Sequence, residues 1–183
     1  MDCQIALLRA VNVGGRGKVA MADLRHCLAA LGCVDVQTLL QSGNLVFRTD
    51  RPGGAKLEEF LEAEFLERLG ISTDVMVRSA AQWRKMIARN PFVKEAREDP
   101  GHLLAIISRQ PVTRKTLADL RAAMAGAAGH ELAAESNGQL YLFYPGGVGR
   151  SRVTTALLER ALGTRVTGRN WNTVLKLAEA CSS

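Results

Sequence analysis

Gln41-Ser42-Gly43-Asn44-Leu45 lies between two runs of β-forming residues, at 34–41 and 44–48, and Ser42-Gly43 reads as a two-residue hairpin signal. A second such stretch, Glu135-Ser136-Asn137-Gly138-Gln139-Leu140, lies between runs at 131–136 and 139–144. Working outward from each hairpin gives the same succession of elements, so these two short stretches decide the fold.

Around the first hairpin, a strand is expected at 4–10 and a helix at 20–31, with Leu24, Cys27, Leu28 and Leu31 on one face and Gly32 past its end. A helix at 54–69 carries the stripe Leu57, Phe60, Leu61, Phe65 and Leu69, closed by Gly70. A strand at 74–78 and a helix at 80–89 complete a βαββαβα order. Around the second hairpin come strand 102–108, helix 113–124, helix 151–162, strand 165–168 and helix 172–181. Both second helices end alike, in Glu67-Arg68-Leu69-Gly70 and Glu159-Arg160-Ala161-Leu162-Gly163.

The expected fold is therefore α+β and duplicated: two ferredoxin-like split βαβ halves, each βαββαβ plus an extra helix. The first half covers 1–90, a connector 91–101 and the second half 102–183. In such a half the helices cover one sheet face only. Strands 4–10 and 139–144 (Gln-Leu-Tyr-Leu-Phe-Tyr) are apolar on both faces, so the second face also needs a cover. Packing of one half on the other is the first expectation, a homodimer the second, and an RNA-stacking platform through Tyr141 and Phe143 the third.

The 183 residues are 47% hydrophobic and 23% charged, an ordinary globular composition. No apolar run approaches the roughly 18–20 residues of a membrane span, and the start, Met-Asp-Cys-Gln-Ile-Ala-Leu-Leu-Arg, lacks the features of a signal peptide. A cytoplasmic location away from membranes is expected. Cys3, Cys27, Cys33 and Cys181 lack zinc-site spacing and read as small buried hydrophobes. His26, His102 and His130 are scattered, so neither a metal nor a cofactor is expected. A net charge of +6 and a pI near 9.5 favour anionic partners, although many arginines fall on amphipathic helices.

Each half serves as a control for the other. Arg78 aligns with Arg169; after Arg78, Ser79 and Gln82 form a capping box, so Asn170 is explained as the corresponding helix cap. Trp171 and Asn172 stand where the first copy has Ala80 and Ala81, and exceed what capping demands. The first strand-to-helix link is long, glycine-rich and basic (Ala10-Val11-Asn12-Val13-Gly14-Gly15-Arg16-Gly17-Lys18), whereas its counterpart is only Arg109-Gln110-Pro111-Val112. Gly146-Gly147-Val148-Gly149-Arg150-Ser151 leads into helix 151–162 with Ser151 as a natural cap. Each glycine loop could seat a phosphate at a helix start, although neither fits a Walker or G-x-G-x-x-G pattern. The end of the first strand and the Ser42-Gly43 hairpin are expected at opposite ends of their sheet. Asn12 and Gln41 would then meet only in a crevice between the halves.

The strings IALLRAVNVGG, MADLRHCLAALG, VQTLLQSGNLVF, NPF and TGRNWNTVLKLAE, in this order from Ile5 to Glu179, resemble a bacterial family catalogued as domain of unknown function 1697. The positions that carry the resemblance include Leu8, Arg9, Asn12, Gly14 and Gly15, then Gln41 to Asn44, Asn90 to Phe92, Arg169 to Thr173, and Lys176. The resemblance implies a two-part α+β fold and no particular activity. At Ala10 the family pattern has glycine, so no glycine-only backbone conformation is expected there.

The preferred functional reading is a binding protein for a phosphorylated or otherwise anionic small ligand, nucleotides included, taken in the crevice between the two halves. Its candidate residues are Arg9, Asn12, Gly14, Gly15, Gln41, Ser42, Asn44, Arg169, Asn170 and Asn172, with Trp171 as a wall. An enzyme acting on a similar ligand is an alternative, but the sequence offers no paired carboxylates and no His/Cys or Ser/His constellation for acid–base work. Nucleic-acid binding through the basic surface, or a protein–protein adaptor acting as monomer or homodimer, are the remaining alternatives.

Overall fold

Strand β1 (Asp2–Leu8) is buried from Cys3 to Leu8 on both faces, which makes it the centre of the first sheet. The structure is a computed structural model and describes residues 1–11, 19–127 and 130–182. After β1 come α1 (Met21–Ala30), β2 (Val34–Leu39), β3 (Asn44–Thr49), α2 (Ala55–Leu69), β4 (Val75–Ser79) and α3 (Ala80–Ala88). A short helix α4 (Val93–Glu98) precedes β5 (Leu103–Ser108), α5 (Arg114–Gly126), β6 (Leu132–Ser136), β7 (Gln139–Phe143), α6 (Thr155–Leu162), β8 (Val166–Asn170) and α7 (Trp171–Ala180). The sheets are ordered β2-β3-β1-β4 and β6-β7-β5-β8, antiparallel throughout, which is the duplicated split βαβ arrangement expected from the sequence.

By packing, the chain forms two units. One comprises Met1–Lys85 with Lys176–Ser183, the other Met86–Leu175. The repeat in the sequence divides the chain at 90 and 102, whereas these packing limits fall inside α3 and α7.

In the first unit, Leu24 and Leu28 of α1 and Leu57, Leu61 and Phe65 of α2 pack on Leu8, Phe47 and Val77 of the sheet. Glu58 and Glu62 on α2 accept the Val77 and Val75 N–H groups, at 2.8 and 2.7 Å, and so tie that helix to the free edge of β4. Gly70 ends α2 in the left-handed conformation. In the second unit, Leu120 and Met124 of α5 and Leu158 and Leu162 of α6 pack on Ile106, Leu140, Leu142 and Val166. Thr113 and Thr116 form a capping box at the start of α5.

The faces turned away from these helices are also buried: Ile5, Leu7 and Met76 in the first sheet, and Leu103, Ala105, Ile107 and Tyr141 in the second, are 0% exposed. Of the two rings expected to form an RNA platform, Tyr141 is therefore not available at the surface. Tyr141 lies wholly in the interior with its hydroxyl bonded to the Met86 carbonyl at 2.7 Å, so its ring has no free face for a base.

Three local expectations are corrected. The first hairpin is closed by the pair Leu39↔Asn44, so its loop spans 40–43, not Ser42-Gly43 alone; Leu40 and Gly43 both take positive φ. The second hairpin, with Ser136 paired to Gln139, is the true two-residue turn. The connector contains α4, whose six residues carry no buried stripe for periodicity to reveal. Ser151 does not cap α6. That helix starts at Thr155 with Thr154 accepting from the Leu157 N–H, while Ser151 donates to Glu131 and accepts from the Val153 N–H. The glycine string 146–149 is thus separated from the helix start it was expected to adjoin.

Cysteine usage also differs from expectation. Cys3 on β1 and Cys181, just past α7, form a disulfide with Cα atoms 5.9 Å apart, while Cys27 and Cys33 are free and buried. Nothing in the spacing of two cysteines 178 residues apart could announce that pairing.

Candidate functional site

β1 and β3 run antiparallel with Leu7 opposite Asn44, and the Leu8 N–H donates to the Gly43 carbonyl at 2.8 Å. The exit of β1 and the hairpin therefore share one end of the first sheet. The expectation that they lie at opposite ends is wrong. In a split βαβ unit the first and third strands are antiparallel neighbours, so the turn that feeds the third strand stands beside the exit of the first. β4 begins at the same end: the Arg9 N–H donates to the Asp74 carbonyl at 2.9 Å and Thr73 Oγ1 donates to the Arg9 carbonyl at 2.8 Å.

Gly43 is what permits this convergence. Its φ is +67°, and a Cβ added there would stand 2.8 Å from Leu8 Cβ and closer still to a methyl of Val11. The segment leaving β1 thus passes directly over the hairpin. Ala10, in the same turn, has φ +55°. The expectation that no glycine-like conformation is needed there is therefore overturned; this chain adopts the left-handed turn with an alanine.

The side chains at this end divide into holders and presenters. Asn44 is 0% exposed, and its amide donates to the Leu39 carbonyl at 2.8 Å and to Ser42 Oγ at 2.9 Å, so it closes the hairpin. Gln41 is exposed and Ser42 half-buried. The Arg9 guanidinium stands 3.7 Å from the Asp74 carboxylate, with about a quarter of each side chain open to solvent. Asn12, Gly14 and Gly15 lie outside the described residues.

The second group belongs to the other unit. Asn170 Oδ1 accepts the Thr173 N–H at 2.9 Å, which is the expected cap. Its counterpart is equally as expected: Gln82 Oε1 accepts the Ser79 N–H at 2.8 Å and Ser79 Oγ accepts the Gln82 N–H at 3.2 Å. Arg169 is 8% exposed; its Nη1 donates to Thr167 Oγ1 and to the Gly168 carbonyl, each at 2.8 Å, and burial pulls its pKa down to about 10. Its counterpart Arg78 is likewise lowered by burial, opposed by the Glu58 carboxylate 3.4 Å away. Trp171 is 4% exposed, with its ring centroid 6.4 Å from that of Tyr141 and its backbone N–H donating to the Pro100 carbonyl. Asn172 is exposed. Arg169 and Trp171 are interior groups, and Asn170 and Asn172 are the surface groups of this stretch.

Sequence reasoning missed Thr73 and Asp74, which complete the first group. The only signal was a hydroxyl and a carboxylate just ahead of β4, an unremarkable pattern until the strand order places them beside Arg9. Among the described residues no cluster of three or more His, Cys, Asp or Glu side chains has metal-binding geometry.

The profile of a protein family described as "Protein of unknown function (DUF1697)" matches residues 1–141. The chain belongs to this family. The matched region contains the whole first group and ends before the second. No curated protein matches the chain. Among solved structures, the conserved bacterial protein SP0830 from Streptococcus pneumoniae is similar, at 22% identity and a TM-score of 0.72 over 98% of both chains. At that identity the likeness concerns the fold: two four-stranded sheets with their helices, in the same succession. Among the described residues no helix is long and apolar enough to cross a membrane.

Proposed function

We propose that this member of the DUF1697 family is a cytoplasmic binding protein for a phosphorylated or otherwise anionic small ligand, taken at the end of the first sheet where β1, the 40–43 hairpin and the start of β4 converge. The observation that carries the reading is the Leu8–Gly43 backbone bond together with the bare α-carbon of Gly43. These bring two stretches some thirty residues apart, each prominent in the family resemblance, to one place. Arg9 supplies a cation, Gln41 an amide and Ser42 a hydroxyl, all at least partly open to solvent. The sequence that follows Val11 is glycine-rich and basic, a composition of the kind that recognises phosphate. The net charge of +6 favours such a partner at long range.

Asp74 limits the chemistry. A carboxylate beside the arginine orients the guanidinium and offsets part of its charge, so a small anion with hydroxyl groups fits better than a bare polyanion. Thermal-shift titration against nucleotides, sugar phosphates, inorganic phosphate and heparin tests the reading. Tm should rise with the concentration of a phosphate ester and lose that response in Arg9→Gln and Gln41→Ala. A flat response to every compound overturns it.

A further inference from the structure

The disulfide opens onto a cleft of its own. Cys3 lines a cavity of about 300 Å³ with Asp35, Gln37, Arg48 and Ala180. A break in the β2–β3 register between Val34 and Gln37 shapes one wall, with Asp35 at φ +52°. Arg48 is the direct cross-strand partner of Cys3, so the two side chains share a face of the sheet, and its guanidinium is 3.2 Å from Asp35. Cys181 is not among the lining residues, and both cysteines are less than a tenth exposed. Of the two cysteines, Cys3 is thus the one that borders a cavity, at the small end of the range for small-molecule sites.

We propose that Cys3–Cys181 is a reversible thiol-exchange site, opened and closed by small-molecule thiols that reach Cys3 through this cleft. In opening, the thiolate of a small thiol attacks Cys3 Sγ; the protein S–S bond breaks and a mixed disulfide forms on Cys3. The electron pair leaves on Cys181 Sγ, which takes up a proton from water. A second small thiolate then attacks its own half of the mixed disulfide, giving the small-molecule disulfide and the Cys3 thiolate. Two thiols are oxidised and one protein disulfide is reduced; the same steps in reverse close it. Arg48 stabilises the approaching thiolate and the Cys3 thiolate that leaves. The size of the cleft selects a small thiol over a protein reductase. Opening frees the end of α7 from β1, because the bond joins the first strand to the residue after the last helix.

Intact-mass analysis of the full chain with glutathione as the probe decides the matter. Wild-type protein equilibrated with oxidised glutathione should carry two alkylatable thiols once denatured, Cys27 and Cys33, and four after reduction. Folded Cys181→Ser should take one glutathionyl group on Cys3, and Cys3→Ser should react at Cys181 roughly tenfold more slowly. Reduction of the wild type should lower Tm by about 5–15 °C, and the Cys3→Ser/Cys181→Ser double variant should show no such response. Four free thiols in wild type after oxidation, equal rates for the two single variants, or opening by a protein reductase but not by glutathione would each overturn the proposal. The wild-type thiol count stands even where a single variant folds poorly.

Discussion

The Tyr141 hydroxyl donates to the Met86 carbonyl at 2.7 Å, fixing a fully buried phenol on the second sheet to the backbone of α3. The Arg89 N–H shares that carbonyl at 3.3 Å, so removing the phenol oxygen leaves the acceptor a second donor. Tyr141→Phe should therefore cost only about 0.5–1.5 kcal/mol. Trp171→Ala removes the ring beside it from a site 4% exposed and should cost about 3–5 kcal/mol. Urea unfolding of both variants checks the ranking. Equal costs would mean that the hydrogen bond, not the indole, holds this region.

Gly43→Ala combines two penalties, a left-handed φ and a β-carbon driven into Leu8 and Val11. Gly70→Ala at the end of α2 carries the φ penalty alone, with open space around the new methyl. Gly70→Ala should cost about 1 kcal/mol, and Gly43→Ala should exceed it clearly, at roughly 2–4 kcal/mol. The same variant also pushes the β1 exit off the hairpin. If the proposed ligand site lies there, the thermal shift by a phosphate ester should weaken in Gly43→Ala beyond what its lower Tm explains.

Ala10 gives a prediction of opposite sign. Substituting glycine within ordered structure normally costs about 0.5–1 kcal/mol in unfolded-state entropy. Here relief of an alanine held at φ +55° is worth about 1–2 kcal/mol, so Ala10→Gly should be neutral or stabilising by up to about 1 kcal/mol. Chemical denaturation reads the difference directly. A loss of stability larger than 1 kcal/mol would show that the left-handed turn is not strained.

The duplicated strand order was legible because it rests on local signals: helix stripes such as Leu57, Leu61 and Phe65, stop glycines, and turn residues recurring in step. Caps were legible for the same reason, since Ser79, Gln82 and Asn170 act within three residues. What lay hidden was set by neighbours distant in the chain. The Cys3–Cys181 bond, the Tyr141–Met86 bond and the convergence of Arg9, Gln41 and Asp74 follow from strand order and helix docking, which no short window contains. The misplacement of the hairpin relative to the β1 exit was avoidable, because antiparallel pairing of the first and third strands already dictates it.

The RNWNT stretch separates two surface asparagines by their work. Asn170 caps α7 through the Thr173 N–H, whereas Asn172 is exposed and lies inside the first turn. Asn170→Ala should cost about 0.5–2 kcal/mol, and Asn172→Ala should stay within about 0.5 kcal/mol of wild type. Equilibrium unfolding distinguishes them.

The two tyrosines of the chain provide a reading of fold integrity in alkali. Burial raises the Tyr141 pKa from 10.0 to about 12 and pushes Tyr144, whose hydroxyl donates to the Val153 carbonyl, higher still. In the unfolded chain both lose their protons near pH 10. The fold therefore holds protons that the unfolded chain releases. The stability this represents is complete below pH 10 and is lost as pH rises through the window from 10 to 12. For Tyr141 the loss amounts to about 2–3 kcal/mol. Spectrophotometric titration should show no phenolate near pH 10 in native protein, then a steep cooperative rise as alkaline unfolding releases both groups together. In denaturant the same titration should be gradual and centred near 10. A gradual native titration centred there would mean that at least one ring is open to water, and Tyr141→Phe would identify which.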